Sequence, residues 1–572
     1  MNRLDKARVK RILAAAVTPR RAIYVCLAAI AAIALLLGWP IDTEPFLALP
    51  ASSELVDRED RPLYLFLNED EHWCFPRSLE QMSPHLIHAT VATEDQRFRL
   101  HPGVDPLAVL RAAGSNLRGG QVVSGASTLT MQVTKRGVPP TRSVAGKLRQ
   151  AVTALRLERR LSKDEILETY LNSAPYGLNL LGCEAAAMRY FGKPARELNL
   201  PEAALLAGLP KAPTTYMPLN NPTRARARRN HVLERMRDEG YIDDYEFKQA
   251  SAAPLGVRWH DFPALAPHLA MHLRPLTEEH QRLRTTLDSG LQTRIEQLVR
   301  ERLRYYPGEI TNAAVIVLDT PTGEVLARVG SGDFYDTPGG GQVDTCRALR
   351  PPGSALKPFI YALAMDRDCL YASETLNDGT LDYGRYSPEN FDQRFRGLVA
   401  ADKALQLSLN VPAVTVLERL GVEQLLAFLP RAGISSVNMP PEHYGLGLTL
   451  GNCEVRLEEM AEAYCMLANL GVHRPIRVHE FQPETRETQV LSGGAALKIF
   501  EMLEQTPPGE FERQLVPVSA ARTQVAWKTG TSTDYRDAWT IMFNRHYVVG
   551  VWMGNNDASS SKWLVGATVA LP

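Results

Sequence analysis

The chain carries no excess charge of either sign: 64 lysines and arginines balance 64 aspartates and glutamates over 572 residues. Bulk electrostatics therefore offers nothing to a nucleic acid, and no such partner is expected. No charged tail exists beyond the N-terminus, and no repeat or low-complexity segment interrupts the chain. The seven cysteines (Cys26, Cys74, Cys183, Cys346, Cys369, Cys453 and Cys465) are too few and scattered for a disulfide scaffold. With no CxxC pair among them, nothing points to zinc, so most are expected to be packing residues and no metal site is expected. An exported location would permit one disulfide, whose partners the spacing leaves open.

What is present is ample. At 45% hydrophobic and 22% charged residues, the balance is that of a globular protein, and the length predicts two large domains. Arg3, Lys6, Arg8, Lys10, Arg11, Arg20 and Arg21 precede an uncharged apolar run from Ala22 to Trp39. About 18 apolar residues lie near the lower limit for spanning a bilayer. The flanking positive charge sets a cytoplasmic N-terminus (residues 1–21), a transmembrane anchor (22–39) and an external remainder. No Ala-x-Ala-like cleavage site follows, which favours an uncleaved anchor over a signal peptide.

Residues 79–250 read as helical without convincing strands. Pro254, Pro263, Pro267 and Pro275 then mark a linker over 251–284. Residues 285–572 form the second domain. There Ala313–Asp319 and Glu324–Val329 are β-rich runs joined by the hairpin signal Thr320-Pro321-Thr322-Gly323. Ala526–Thr531, Asp537–Phe543 and Tyr547–Met553 read as three more strands. Helices inserted between the second and third strands make this one sheet of an α+β domain.

Three strings carry acyl-transfer chemistry: Ser354-Ala355-Leu356-Lys357, Ser408-Leu409-Asn410 and Lys528-Thr529-Gly530-Thr531. Singly each is weak, since a lone SxxK is usually an exposed helix turn and a lone KTG a loop. In this order they are the signature of penicillin-binding proteins and class A β-lactamases. One helical turn separates Ser354 from Lys357, so a neutral amine can take the proton of a hydroxyl that is otherwise a weak nucleophile. Burial near Lys528 would keep that amine neutral. Ser354 is assigned as nucleophile, Lys357 as general base and Ser408 as proton relay. Asn410 would hold the substrate's backbone, while Lys528, Thr529 and Thr531 would bind a carboxylate. Gly530 would let an extended peptide lie against its strand. The N–H groups of Ser354 and Thr531 are the expected oxyanion hole.

Over nearly its whole length the sequence resembles the class A bifunctional penicillin-binding proteins. The matching stretches include Thr285-Thr286-Leu287-Asp288, Arg350-Pro351-Pro352-Gly353-Ser354, Leu450-Gly451, Leu457-Glu458-Glu459-Met460-Ala461 and Trp527-Lys528-Thr529-Gly530-Thr531. Tyr535-Arg536-Asp537-Ala538-Trp539 and Pro388-Glu389-Asn390-Phe391-Asp392 resemble the 1C branch in particular. Glu94-Asp95-Gln96-Arg97-Phe98 through Gly103, and Gly125-Ala126-Ser127-Thr128 through Gln132, resemble the first two motifs of family 51 glycosyltransferases. The resemblance implies a mainly α, lysozyme-like glycosyltransferase domain, then a β-lactamase-like serine transpeptidase domain behind the anchor. The implied substrates are lipid II, nascent glycan strands and stem peptides, with β-lactams as covalent inhibitors. The inner membrane and cell-wall synthesis proteins are the implied partners.

On this resemblance Glu94 is the general base for the attacking sugar hydroxyl, with Asp95 an accessory carboxylate. Ser127, Thr128, Gln132, Lys135 and Lys147 would receive the leaving pyrophosphate. His101 is read as structural. The family's third motif, Arg-Lys-x-x-Glu, is here Gly146-Lys147-Leu148-Arg149-Gln150, so Gln150 can bond substrate but cannot carry charge. Ser162 through Asn172 and Gly208 through Pro213 match the later motifs. No cofactor is required, although the family leaves room for a divalent cation near Glu94. Apolar residues from Val104 to Leu117 either dip into the membrane or pack, and Arg224, Arg226, Arg228 and Arg229 read as a solvated helix face in preference to a site for anionic headgroups or pyrophosphate.

The sequence reaches Pro572 soon after its last predicted strand, where the family adds a helix and, in the 1C branch, a β-rich domain. A bare sheet face is therefore expected, and with it either a natural short form or a truncated product whose transpeptidase domain is compromised. A bifunctional peptidoglycan synthase, with both domains in the periplasm, is the leading expectation. The alternative is a glycosyltransferase whose second domain binds stem peptides or partners without turnover.

Overall fold

The computed structural model describes residues 40–111, 127–138, 143–382, 387–483, 486–504 and 524–572, with Tyr24 and Gly38. The expected anchor thus lies outside the described residues apart from those two. Among the described residues no helix is long and apolar enough to cross a membrane. Two compact units are present: residues 1–53 with 66–262, and residues 54–65 with 263–572.

The first unit is helical. Helix α1 (Pro84–Glu94) starts on Pro84, whose missing N–H costs nothing there, and ends with Glu94 on its last turn. Helices α2 (Leu129–Val133), α3 (Val144–Leu157) and α4 (Lys163–Ser173) follow. Ser162 and Glu165 close a capping box on α4, satisfying two N–H groups that a helix start leaves open. Helices α5 (Leu200–Gly208) and α6 (Pro222–Asp238) pack on each other and on α1. The expectation of no strands needs correction: Trp73–Cys74, Leu180–Leu181 and Pro175–Gly177 form a small sheet. Runs of two or three residues are too short to show a period of two.

In the second unit, strands β1 (Asn312–Asp319), β2 (Val325–Val329), β3 (Ala526–Thr531), β4 (Asp537–Phe543) and β5 (Tyr547–Gly554) form one sheet in the order β3-β4-β5-β1-β2. The first two strands are joined by the expected hairpin, in which Asp319 Oδ1 accepts the Thr322 N–H at 3.0 Å. Among the described residues the terminal strand β3 is paired on its outer edge only at Ala526, by a bridge to Glu504. Helix α7 (Pro267–His280) runs through the stretch expected to be a linker. Its prolines did not prevent this, because Pro267 lies in the first turn, while Leu269, Ala270 and Leu273 are buried. Residues 54–65 join this unit through Glu54–Val56, which pairs with Pro62–Leu65 on one side and Arg282–Arg284 on the other.

Both faces of the sheet are covered. Helix α8 (Ser289–Leu303) lies over β1 and β2, with Val299, Val315, Val317 and Leu326 in one apolar cluster. Helix α11 (Leu457–Ala468) covers the other face of β1, β4 and β5. The short helix α12 (Gly566–Val569) packs on β3 and β4, where Leu564, Val569 and Ala570 join the cluster of α8. The bare sheet face expected from the sequence is therefore absent. Arg302 reaches across to the carbonyl of Thr568 at 3.0 Å and holds this turn to α8.

Candidate active sites

Ser354 lies in the single turn Gly353–Leu356, which runs straight into helix α9 (Lys357–Asp366). This turn is pressed against β3 so closely that no other residue type fits at the contact. A Cβ on Gly353, whose φ is +54°, would meet the Thr531 carbonyl oxygen at 2.3 Å, and one on Gly530 would meet the Pro352 oxygen at 2.2 Å. Gly530 thus makes room for the nucleophile segment rather than for an incoming peptide, which corrects its expected role. Trp539, opposite Gly530 in the strand register, donates its Nε1–H to the Pro351 carbonyl at 2.8 Å and fixes the segment from below.

Lys357 and Lys528 are both buried. The Lys357 amine lies within hydrogen-bond distance of three acceptors, the carbonyls of Ser408 (2.8 Å) and Leu409 (3.1 Å) and Asn410 Oδ1 (2.7 Å), of which a neutral amine donates to two. Burial first, and the Lys528 charge second, hold it well below the ordinary lysine value, which leaves the neutral amine a base needs. Lys528 donates to Ser408 Oγ and to the Thr529 carbonyl, both at 2.8 Å, and burial brings it down to about 7. Ser408 has a left-handed backbone (φ 58°), rare for a residue with a Cβ, and this turns its hydroxyl toward Lys528 and its carbonyl toward Lys357. Asn410 opens helix α10 (Asn410–Leu420). Ser354, Ser408, Asn410, Thr529, Gly530 and Thr531 line one cleft of about 590 Å³. The Thr531 hydroxyl accepts the Gly566 N–H at 3.1 Å, which engages it with α12.

In the first unit, Glu94 lies at the C-terminal end of α1. One carboxylate oxygen accepts from Gln132 Nε2 at 2.8 Å, and the other lies 3.7 Å from Arg228 Nη2. Lys135 faces Glu94 and Lys147. Desolvation and then Lys147 lower its pKa, while Glu94 opposes them. Lys147 Nζ reaches Ser127 Oγ at 3.4 Å, and Ser127 lines a cleft together with Glu94.

Three expected substrate ligands are buried, although Asp95 and Thr128 still line a cleft with Glu94 and Ser127. Asp95 is buried with its oxygens taken by His101 Nε2 (2.9 and 3.0 Å) and by the Leu129 N–H (3.0 Å), so it joins α1 to α2. Thr128 caps α2 through Met131 N–H and donates to the Gly103 carbonyl at 2.6 Å, which leaves its hydroxyl no free donor. Gln150 is buried on α3. His101 is structural, as read from the sequence.

Arg228 was missed. It is buried on α6, where Nε also donates to the Gly208 carbonyl at 3.1 Å. Arg229 is buried as well and gathers the carbonyls of Ser251, Ala253 and Pro254 at 2.7–3.3 Å. The solvated-face expectation holds only for Arg224 and Arg226, which are exposed. A signal was present: Ala225, Val232, Leu233 and Met236 are buried on α6, and positions 228 and 229 continue their stripe.

Comparison with known proteins agrees with this arrangement. The transglycosylase family matches residues 63–237, and the penicillin binding protein transpeptidase domain matches residues 313–572. Penicillin-binding protein 1C of Escherichia coli K12 is 38% identical over 536 residues, covering 93% of this chain and 68% of that protein. Penicillin-binding protein 1A of Aquifex aeolicus is 31% identical over 629 residues, covering 91% and 85%. The crystal structure of penicillin-binding protein 1A from Haemophilus influenzae covers 91% of each chain at 21% identity with a TM-score of 0.52, a likeness of fold. The chain therefore belongs to the class A penicillin-binding proteins, bifunctional enzymes of peptidoglycan synthesis that join a transglycosylase to a transpeptidase.

Proposed function

We propose that the first unit polymerises lipid II with Glu94 as general base and that the second cross-links stem peptides through an acyl-enzyme on Ser354. The observation that carries the second half is the pair of buried lysines around Ser408. Ser354 Oγ attacks the carbonyl of the penultimate D-alanine as Lys357 takes its proton. The N–H groups of Ser354 and Thr531 receive the developing oxyanion. Ser408, bridging Lys528 and the Lys357 wall, returns a proton to the departing D-alanine amine. The amine of a second stem peptide then attacks the ester and frees Ser354. Lys528 and Thr529 meet the donor's terminal carboxylate, and the outer edge of β3 beyond Ala526 offers the extended peptide a strand to pair with.

In the first unit, Glu94 removes the proton of the acceptor hydroxyl as it attacks the anomeric carbon. Lys135, Lys147 and Ser127 meet the departing pyrophosphate, and Arg228 with Gln132 holds the carboxylate in place. A divalent cation fits poorly against these residues. Glu94 faces Gln132 and Arg228, and Asp95 has no oxygen free of its partners. Exposed Leu100, Leu107, Val109 and Leu110 support a reading in which this region touches lipid. The same reading makes residues 22–39 a single-pass anchor of the inner membrane with both units on its periplasmic side. Its cell-wall partners would be met there.

Fluorescent penicillin on the purified chain tests the acyl-transfer half. Labelling of wild type that vanishes in Ser354→Ala is the expected result. Unlabelled wild type would leave only a glycosyltransferase with a peptide-binding appendage.

A further inference from the structure

The segment 387–396 crosses the mouth of the acyl-transfer cleft, yet none of its residues has a part in the chemistry above. Its centre is a buried bonding chain. Asp378, fully buried at the end of the strand Thr375–Asp378, accepts both contacts of Asn390 Nδ2, at 2.7 and 2.9 Å, and the Arg396 N–H at 2.9 Å. Asn390 Nδ2 also reaches the Arg394 carbonyl at 2.8 Å. Its donors are thereby committed, and its oxygen is left to accept the backbone N–H of Asn410 at 2.8 Å. That N–H belongs to the first turn of α10 and has no partner within the helix. The carbonyl next door, of Glu389, accepts Asn410 Nδ2 at 2.6 Å. With its nitrogen held there, Asn410 can turn only its oxygen to Lys357 Nζ, 2.7 Å away. A flipped amide would set oxygen against the Glu389 carbonyl and N–H against the amine.

We propose that Asn390, anchored by the buried Asp378 carboxylate, is a positioning residue for acyl transfer: it sets the backbone and amide of Asn410, and through them the seat of the Lys357 amine. The proposal rests on the reading of Ser354 as nucleophile and Lys357 as base. Among the described residues the charged groups facing Lys357 are Lys528 from β3 and, behind Asn390, Asp378. Removing Asn390 frees Asn410 and withdraws one acceptor from the amine. Fewer acceptors disfavour the ammonium, so the base should titrate at lower pH while sitting less well for the hydroxyl.

The test is the second-order rate of Ser354 acylation by a penicillin across pH, in wild type and Asn390→Ala. The expected result is an acid limb moved down by about half a pH unit and a plateau lowered about tenfold or more. Should Asn390→Ala not fold, Asp378→Asn keeps the shape, removes the charge and turns one acceptor of the Asn390 amide into a donor, and should move both quantities the same way by less. Asn390→Asp alone opposes two carboxylates and should be slow, whereas Asn390→Asp with Asp378→Asn rebuilds the bond with its donor reversed and should recover most of the rate. An unmoved acid limb, with rates that fall only as the folded fraction falls, would overturn the proposal and leave Asn390 a structural residue. Wild type that no penicillin acylates would remove the nucleophile reading and this role with it; wild type acylated normally with indifferent variants would remove this role alone.

Discussion

The two catalytic units handle charge in opposite ways. Around Ser354 the lysines are buried among protein acceptors: three surround the Lys357 amine and two that of Lys528. Around Glu94 the lysines are exposed, Lys147 touching Ser127 alone at 3.4 Å. The difference follows from the substrates each site is proposed to take. A peptide brings little charge to the scissile bond, so the protein must make its own neutral base, and desolvation is the means. A pyrophosphate brings charge with it, and lysines that reach the solvent are free to meet it. Burial is thus the catalytic device of one site and would disable the cations of the other.

The contrast can be broken most sharply at the two proton acceptors. Glu94→Gln is expected to lower lipid II polymerisation by about 10²–10⁴-fold while penicillin labelling is untouched, and Lys357→Ala to do the reverse. Gel analysis of glycan products beside fluorescent labelling measures both. A variant that lowers both activities together would show that the sites do not act separately.

Arg228 is the exception to the open character of the first site, being a buried cation beside Glu94. Arg228→Ala is expected to cost about 10–100-fold in polymerisation, because Glu94 loses the partner charge 3.7 Å away that positions it. It should also lower the thermal midpoint, since the Gly208 carbonyl loses its donor. Lys135→Ala, at an exposed position, should lower polymerisation and leave the midpoint unchanged.

The buried lysines also predict a pH dependence of stability. Lys528 titrates at about 7 when folded and at 10.5 as an ordinary lysine, so between those values the unfolded chain binds the extra proton. Stability contributed by this site therefore rises with pH across that window. Denaturant unfolding of wild type against Lys528→Met should show wild type gaining on the variant from pH 7 to 10.5. A difference that stays flat would mean Lys528 is hydrated in the folded protein. The smallest expected effect is at the α4 cap, where Ser162→Ala should cost about 1 kcal/mol of stability with both activities kept.

Much of this was legible along the chain. The five strands stood out because each is long enough for its apolar pattern to register, and the helices of the first unit because caps such as Ser162 with Glu165 announce them. The acyl-transfer strings were legible because Ser354 and Lys357 are one turn apart and need little else to meet. The first unit's site was less so. Asp95 and Thr128 belong to the same dense motifs as Glu94 and Gln132, and a motif does not say which of its polar members are tied up in structural hydrogen bonds. Asp95 and Thr128 are spent on joining α1, α2 and the Gly103 loop, because buried polar groups require partners. Arg228 and Arg229 were misread because four arginines within six residues suggest solvent, although two of them continue a buried stripe.

What the sequence determined by itself is local: which segments become helix or strand, the order of the three acyl-transfer strings, and the carboxylate at the end of α1. These follow from side-chain period, capping and spacing, all of which act within a few residues. Only the tertiary structure decided that residues 54–65 join the second unit, that Gly530 yields to Pro352 and not to substrate, and that Asp378 reaches Lys357 through Asn390 and Asn410. Each depends on close approach between residues far apart in the chain, and no local pattern encodes the distance at which two such segments come to rest.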